Sequence, residues 1–248
     1  MEYNIWRAPT DNDRNIKLEW MKAQYDRIVT RAYETKVHKT EKEVKIETTL
    51  SISAIYIQRI LDIQVTWNIQ ADGTVDIAMD VKRNPIFPML PRFGLRLFLP
   101  KEMKDVTYYG LGPVESYMDK RRASWHGEFS SSVTDLHEDY IRPQENGSHY
   151  DCDYVTLSSN AGHLLPERKT SLTAVSGQTF SFNASMYTEE ELTNKAHNYE
   201  LEECGSTVLC LDYRQNGIGS NSCGPQLIEK YRLDENEFHF ELRLKPEV

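Results

Sequence analysis

The densest collection of chemically capable side chains lies between Tyr108 and Asp153. It runs Tyr108-Tyr109-Gly-Leu-Gly-Pro-Val-Glu115-Ser-Tyr117, then Trp125-His126-Gly, then Arg142-Pro-Gln-Glu145-Asn146-Gly. Aromatic rings stack on the apolar face of a sugar, while carboxylates and arginine bind its hydroxyls. The plainer alternative is that the Gly and Pro residues shape turns and the aromatics pack. Cleaving a glycosidic bond would need two carboxylates flanking it, about 5 Å apart for retention or roughly 6.5–9.5 Å for inversion. With 38 acidic residues in a chain of 248, the sequence selects no such pair.

Three further segments carry polar groups in unusual density. Asn4-Ile-Trp6-Arg7-Ala-Pro9-Thr-Asp11-Asn12-Asp13 combines a rigid Arg-Ala-Pro turn with acidic and amide side chains, and reads as a capped helix start behind a packed tryptophan. Gly217-Ile-Gly219-Ser-Asn221-Ser222-Cys223-Gly-Pro225 is a long loop between strands, with glycines and a proline that define its path. Cys223 has no basic neighbour within three residues, so nothing activates its thiol. In His149-Tyr-Asp151-Cys152-Asp153 a regular strand would place His149, Asp151 and Asp153 on one face, but no second cluster has matching spacing, and no metal site is assigned. The chain has no P-loop, no HExxH and no GxSxG elbow.

The elements that must position these segments are mostly strands. Apolar residues alternate with polar ones at Val44–Ile52, Ile63–Ile69, Val75–Val81, Phe93–Leu99, Phe180–Met186, Thr207–Tyr213 and Phe238–Leu244. Such alternation means one buried and one wet face, the habit of antiparallel sheets. Ala71-Asp72-Gly73 reads as a hairpin turn, with glycine at positive φ. The proline-rich stretch Asn84–Pro91 reads as a turn between strands. Helix signals are few. Leu18, Met21, Tyr25, Ile28 and Val29 form a stripe that predicts a helix over 15–32, and Thr188 with Glu191 predicts a capped helix over roughly 189–197. One large all-β antiparallel sandwich domain, residues 1–248, is expected.

A domain of this length buries enough surface to need no disulfide or metal staple. The net charge of −9, with Lys120-Arg121-Arg122 the densest basic run, argues against nucleic acid and anionic membrane surfaces as partners. No apolar run approaches about 18 residues, the length of a membrane span. Four cysteines without CxxC spacing read as free thiols of a cytoplasmic protein.

Five segments in order resemble the carboxy-terminal part, or small chain, of β-galactosidases of glycoside hydrolase family 2. They are Trp6–Asp13 (WRAPTDND), Tyr109–Tyr117 (YGLGPVESY), Arg142–Gly147 (RPQENG), Met186–Leu192 (MYTEEEL) and Gly217–Pro225 (GIGSNSCGP). The resemblance implies a β supersandwich similar to galactose mutarotase. It also implies that the two catalytic glutamates, general acid/base and nucleophile of a retaining mechanism, lie on a separate (β/α)8 barrel, with the magnesium ligands. This chain is too short and too poor in helix to contain that barrel. By resemblance it carries no catalytic residue, metal or cofactor. It lines the rim of the sugar site with Arg7, Asp11, Asn12, Asp13, Asn221, Ser222 and Cys223, and its partners are the barrel and other domains of an oligomeric parent enzyme. Some family members place a tryptophan in the second loop as a stacking platform, and none stands between Gly217 and Pro225 here. Two rival readings remain: an autonomous sugar-binding module, and a mutarotase-like epimerase using His126, His149 and Glu145 as acid and base.

Overall fold

The structure is a computed structural model, and it describes residues 1–159, 170–219 and 224–247. Among these, the expected alternating segments all form strands: β3 (Glu43–Ala54), β4 (Leu61–Gln70), β5 (Val75–Arg83), β6 (Arg92–Pro100), β10 (Ser171–Ser185), β11 (Ser206–Gln215) and β12 (Glu237–Glu247). The β4/β5 hairpin turns at Gly73, whose φ of 86° suits a residue without Cβ, and Asp72 Oδ1 accepts from Thr74 N at 2.9 Å. Five more strands complete the fold: β1 (Glu2–Asn4), β2 (Ile28–Lys39), β7 (Asp105–Gly112), β8 (Trp125–Ser132) and β9 (Ser148–Ser158).

All recorded strand pairs are antiparallel, as the alternation requires. Strand β10 is the seam. One of its edges pairs with β9, while the other is divided: β12 takes Ser171–Val175 and β11 takes Ser181–Ser185. From β12 the sheet continues through β5, β4 and β3 to β2, and from β11 through β6 to β1; β7 and β8 extend it beyond β9. Phe93, Leu95, Phe180, Phe182, Leu209, Leu211 and Phe240 are buried in a single core where these arms face one another.

The helix expected over 15–32 is much shorter. Helix α1 spans Ile16–Lys22, Gln24 takes a left-handed φ of 57°, and strand β2 has begun by Ile28. Its buried face is Ile16, Trp20 and Ala23, while Leu18 and Met21 stand 64% and 48% exposed. The β-branched run Ile28-Val29-Thr30 is claimed by pairing with β3, which offsets any helical preference. Helix α2 (Glu189–Asn194) starts where expected, with Thr188 Oγ1 accepting from Glu191 N at 3.1 Å, and ends three residues early. Among the described residues no helix is long and apolar enough to cross a membrane.

Candidate functional site

The site is assembled by wiring remote loops to one another. After β1 the chain reaches Arg7, whose side chain is 0% exposed. Its guanidinium forks onto Asp13 (Nε–Oδ2 3.1 Å, Nη2–Oδ1 2.8 Å), donates from Nη2 to Gly217 O at 3.1 Å and from Nη1 to Asn216 O, and lies 5.3 Å from the Trp20 ring centroid. Asp13 also accepts from Thr10 N at 2.9 Å, closing the short 3-10 turn Asp11–Arg14. One buried ion pair therefore fixes the amino-terminal motif and the start of the glycine loop together. Trp6, the expected packed tryptophan, lies edge-on against Trp20 at 6.4 Å.

Two more clamps hold the same loop. Asn12 Nδ2 donates to Ile218 O at 2.7 Å, and Asp119 accepts from Ile218 N and Gly219 N at 3.0 and 2.8 Å. On the opposite side, Asp11 N donates to Gln144 Oε1 at 3.0 Å and Glu145 N donates to Ala8 O at 3.0 Å.

The result is a cleft of about 420 Å³ whose wall comes from four of the five singled-out segments: Asp11 and Asn12, Glu115, Gln144 and Glu145, and Ile218 and Gly219. Thr10, Asp119, Lys120 and Tyr140 complete it. A larger cleft of about 560 Å³ passes Tyr3, Trp6 and Arg96, but it gathers fewer of these segments. Of the rim residues expected from the sequence, Asp11 and Asn12 line the cleft. Arg7 and Asp13 are buried beneath it with their charges mutually satisfied. Asn221, Ser222 and Cys223 lie outside the described residues.

Three carboxylates of the cleft, Glu115, Asp119 and Glu145, are engaged by the protein itself, while the Asp11 side chain is exposed. Glu115 accepts from Tyr140 Oη (2.6 Å), Tyr117 Oη (3.2 Å), Gly147 N (2.9 Å) and Lys120 Nζ. Burial alone would raise its pKa, but Lys120, Tyr140 and the Gly147 amide outweigh burial and hold it below the usual carboxylate value. Glu145 differs. Burial, opposed by Arg92 and reinforced by Glu189 and Asp212, pushes it up to about 7. A raised carboxyl in a cleft is the mark of a general acid. Here, however, both oxygens turn inward to Arg92 Nη1 at 3.2 Å, and Oε1 accepts from Gln215 Nε2 at 3.1 Å.

Behind the cleft stands a buried charge cluster that the sequence reading did not single out. Arg92 reaches Asp212 (Nε–Oδ1 3.1 Å, Nη2–Oδ2 2.5 Å), Glu145 and Glu189 (3.4 Å), and Arg96 takes the other Glu189 oxygen at 2.7 Å. Glu189, from the Met186–Leu192 motif, also accepts from Asn4 and the Cys210 thiol. The expectation that each strand wets one face fails at β11: Thr207 to Asp212 are buried on both faces, because the amino-terminal segment and α2 cover the second one. The available signal was Arg92 and Arg96, four apart on one face of an apolar strand.

The face shared by His149, Asp151 and Asp153 does not exist. A bulge in β9, with Asp151 at φ 59°, sends His149 into the core between Tyr108 and Phe182, turns Asp151 toward His126 (2.9 Å), and leaves Asp153 exposed. Burial lowers the His149 pKa to about 4. His126, His149 and Glu145 therefore occupy a strand surface, the core and the cleft floor, and do not form an acid–base set.

The sequence is 44% identical to the β-galactosidase of Actinobacillus pleuropneumoniae over 96% of this chain and 22% of that protein. It is 43% identical to the β-galactosidase of Staphylococcus xylosus over 98% of this chain and 24% of that protein. The chain thus spans less than a quarter of the length of these two relatives. Among solved structures, a galactose mutarotase related enzyme from Lactobacillus acidophilus aligns with TM-score 0.38 and 8% identity over 87% of this chain and 72% of that one. The family model of the β-galactosidase small chain matches residues 1–244, so the chain whose loops converge on this cleft belongs to the β-galactosidase small-chain family.

Proposed function

We propose that this chain is the non-catalytic carboxy-terminal domain of a cytoplasmic, oligomeric, retaining β-galactosidase of glycoside hydrolase family 2, and that it supplies the rim of the galactoside site. The supporting observation is the convergence of four separate segments on one cleft, three of whose carboxylates, Glu115, Asp119 and Glu145, already accept hydrogen bonds from the protein. A retaining pair must face the scissile bond with one acid and one free carboxylate; these three are committed elsewhere, and the exposed Asp11 is a single carboxylate. Bond cleavage then belongs to a (β/α)8 barrel with its magnesium, and Asp11, Asn12 and the 217–225 loop orient the sugar against it.

The purified chain is expected to release no nitrophenol from a nitrophenyl galactoside above blank. In the full-length enzyme, Asp11→Ala should raise KM about tenfold or more, the worth of one hydrogen bond to a charged group. Turnover by the chain alone would overturn this assignment, and so would a full-length Asp11→Ala enzyme with unchanged KM and kcat.

A further inference from the structure

One carboxylate of the cleft, Asp119, belongs to none of the five motifs. It stands in a tight turn just after the Tyr109–Tyr117 segment. Two backbone hydrogen bonds close that turn, Tyr117 N to Lys120 O at 2.8 Å and Lys120 N to Tyr117 O at 3.1 Å. From there the two oxygens accept from consecutive amides about a hundred residues away, Oδ1 from Ile218 N and Oδ2 from Gly219 N.

The other backbone groups of this stretch are taken as well. Gly217 N donates to Tyr231 O at 2.8 Å, Arg7 donates to the carbonyls of Asn216 and Gly217, and Asn12 donates to Ile218 O. The two charged grips are sorted by sign: a guanidinium takes carbonyls and a carboxylate takes amides, so each bond is charge-assisted. A stretch beyond the end of β11 thus has its backbone satisfied largely by side chains of remote loops.

The glycines are fitted to the same carboxylate. Among the described residues, a Cβ on Gly219 would meet Asp119 alone within 4 Å, with Oδ2 at 3.0 Å. The φ of Gly219 is not left-handed, so backbone freedom does not account for the glycine. A Cβ on Gly217 would fall 2.7 Å from the same oxygen.

We infer that Asp119 is a positioning residue of the galactoside site: its carboxylate fixes the Ile218–Gly219 wall of the cleft, and Gly219 is glycine to leave room for it. The inference rests on the rim reading above. Asp119 acts on the sugar through that wall.

In the full-length enzyme, Asp119→Ala frees both amides and should raise KM about fivefold or more with kcat within about twofold, the pattern of lost binding. A variant that only folded less well would lower kcat per total enzyme at unchanged KM, and that result would overturn the inference. Asp119→Asn keeps one acceptor but turns an NH2 group toward the second amide, so its KM should rise about twofold or more. It serves as the test if the alanine enzyme does not fold, and an unaltered KM there would refute the role.

Gly219→Ala gives a second readout that a general loss of stability would not produce. Alone it presses on Oδ2 and should raise KM about twofold or more; with Asp119→Ala already present the obstacle is gone, and the same change should alter KM by less than about 1.5-fold. An equal effect in both backgrounds would overturn the inference. If Asp11→Ala leaves KM unaltered, the rim reading itself has failed; if Asp11→Ala raises KM while Asp119→Ala does not, only the role of Asp119 has.

Discussion

Replacing Arg7 with alanine tests the claim that one buried ion pair joins the amino-terminal motif to the glycine loop. The substitution leaves the Asp13 carboxylate at 2% side-chain exposure with Thr10 N still donating to it but without its counter-charge, and takes donors from the carbonyls of Asn216 and Gly217. Breaking a buried pair from one side costs about 3–5 kcal/mol, because the surviving charge stays buried without its partner. With a urea m-value of about 3 kcal/mol/M, the midpoint of the chain should fall by about 1–1.7 M at unchanged m. Arg7→Lys keeps the charge but not the fork, and should lie between alanine and the natural residue. The double variant Arg7→Met/Asp13→Asn removes both charges and should be more stable than Arg7→Ala alone, although it carries two changes. A loss under about 0.5 M for Arg7→Ala, or a double variant as unstable as the sum of its single changes, would refute the reasoning.

Two other substitutions probe how the site is supported. A Cβ at Gly94 would fall 2.1 Å from Leu211 O and 2.7 Å from Asp212 Cα, both backbone atoms of β11, so Gly94→Ala should cost about 3 kcal/mol or more in urea denaturation, at the upper end of overpacking losses. His149 must be neutral in the folded core yet titrates freely when unfolded, so it contributes stability that is lost as pH falls from about 6.5 to its folded value of about 4. His149→Phe should abolish that contribution, and a stability difference from the natural chain that stays flat over this range would exclude it. Burial raises the Glu145 carboxyl to about 7, so its contribution to stability is lost as pH rises, opposite in sign to that of His149, and each is visible only as a difference between variant and natural chain.

The seven alternating strands were legible because burial on one face writes a period of two into the residues themselves. The missed strands show where that writing stops. Strand β2 is exposed along almost its whole length and has no apolar phase to read, and β9 loses its phase at the Asp151 bulge. Helix α1 was overextended because Tyr25, Ile28 and Val29 continue a helical stripe by accident, and partners in β3 decide the matter.

The sequence by itself determined the all-β antiparallel class, the β4/β5 hairpin, the Thr188 cap and the family, since each is carried by neighbouring residues or by short motifs. Only the tertiary structure decided which polar residues face the cleft and which lie beneath it. Arg7 and Asp13 stand beside Asp11 and Asn12 in the chain, yet two are buried as a pair and two line the cleft. The partners that settle this, Gln144 for Asp11 and Ile218 for Asn12, are 133 and 206 residues away. A charged side chain takes its role from the water it loses and the counter-charge it meets on folding, and neither is set by its neighbours in sequence.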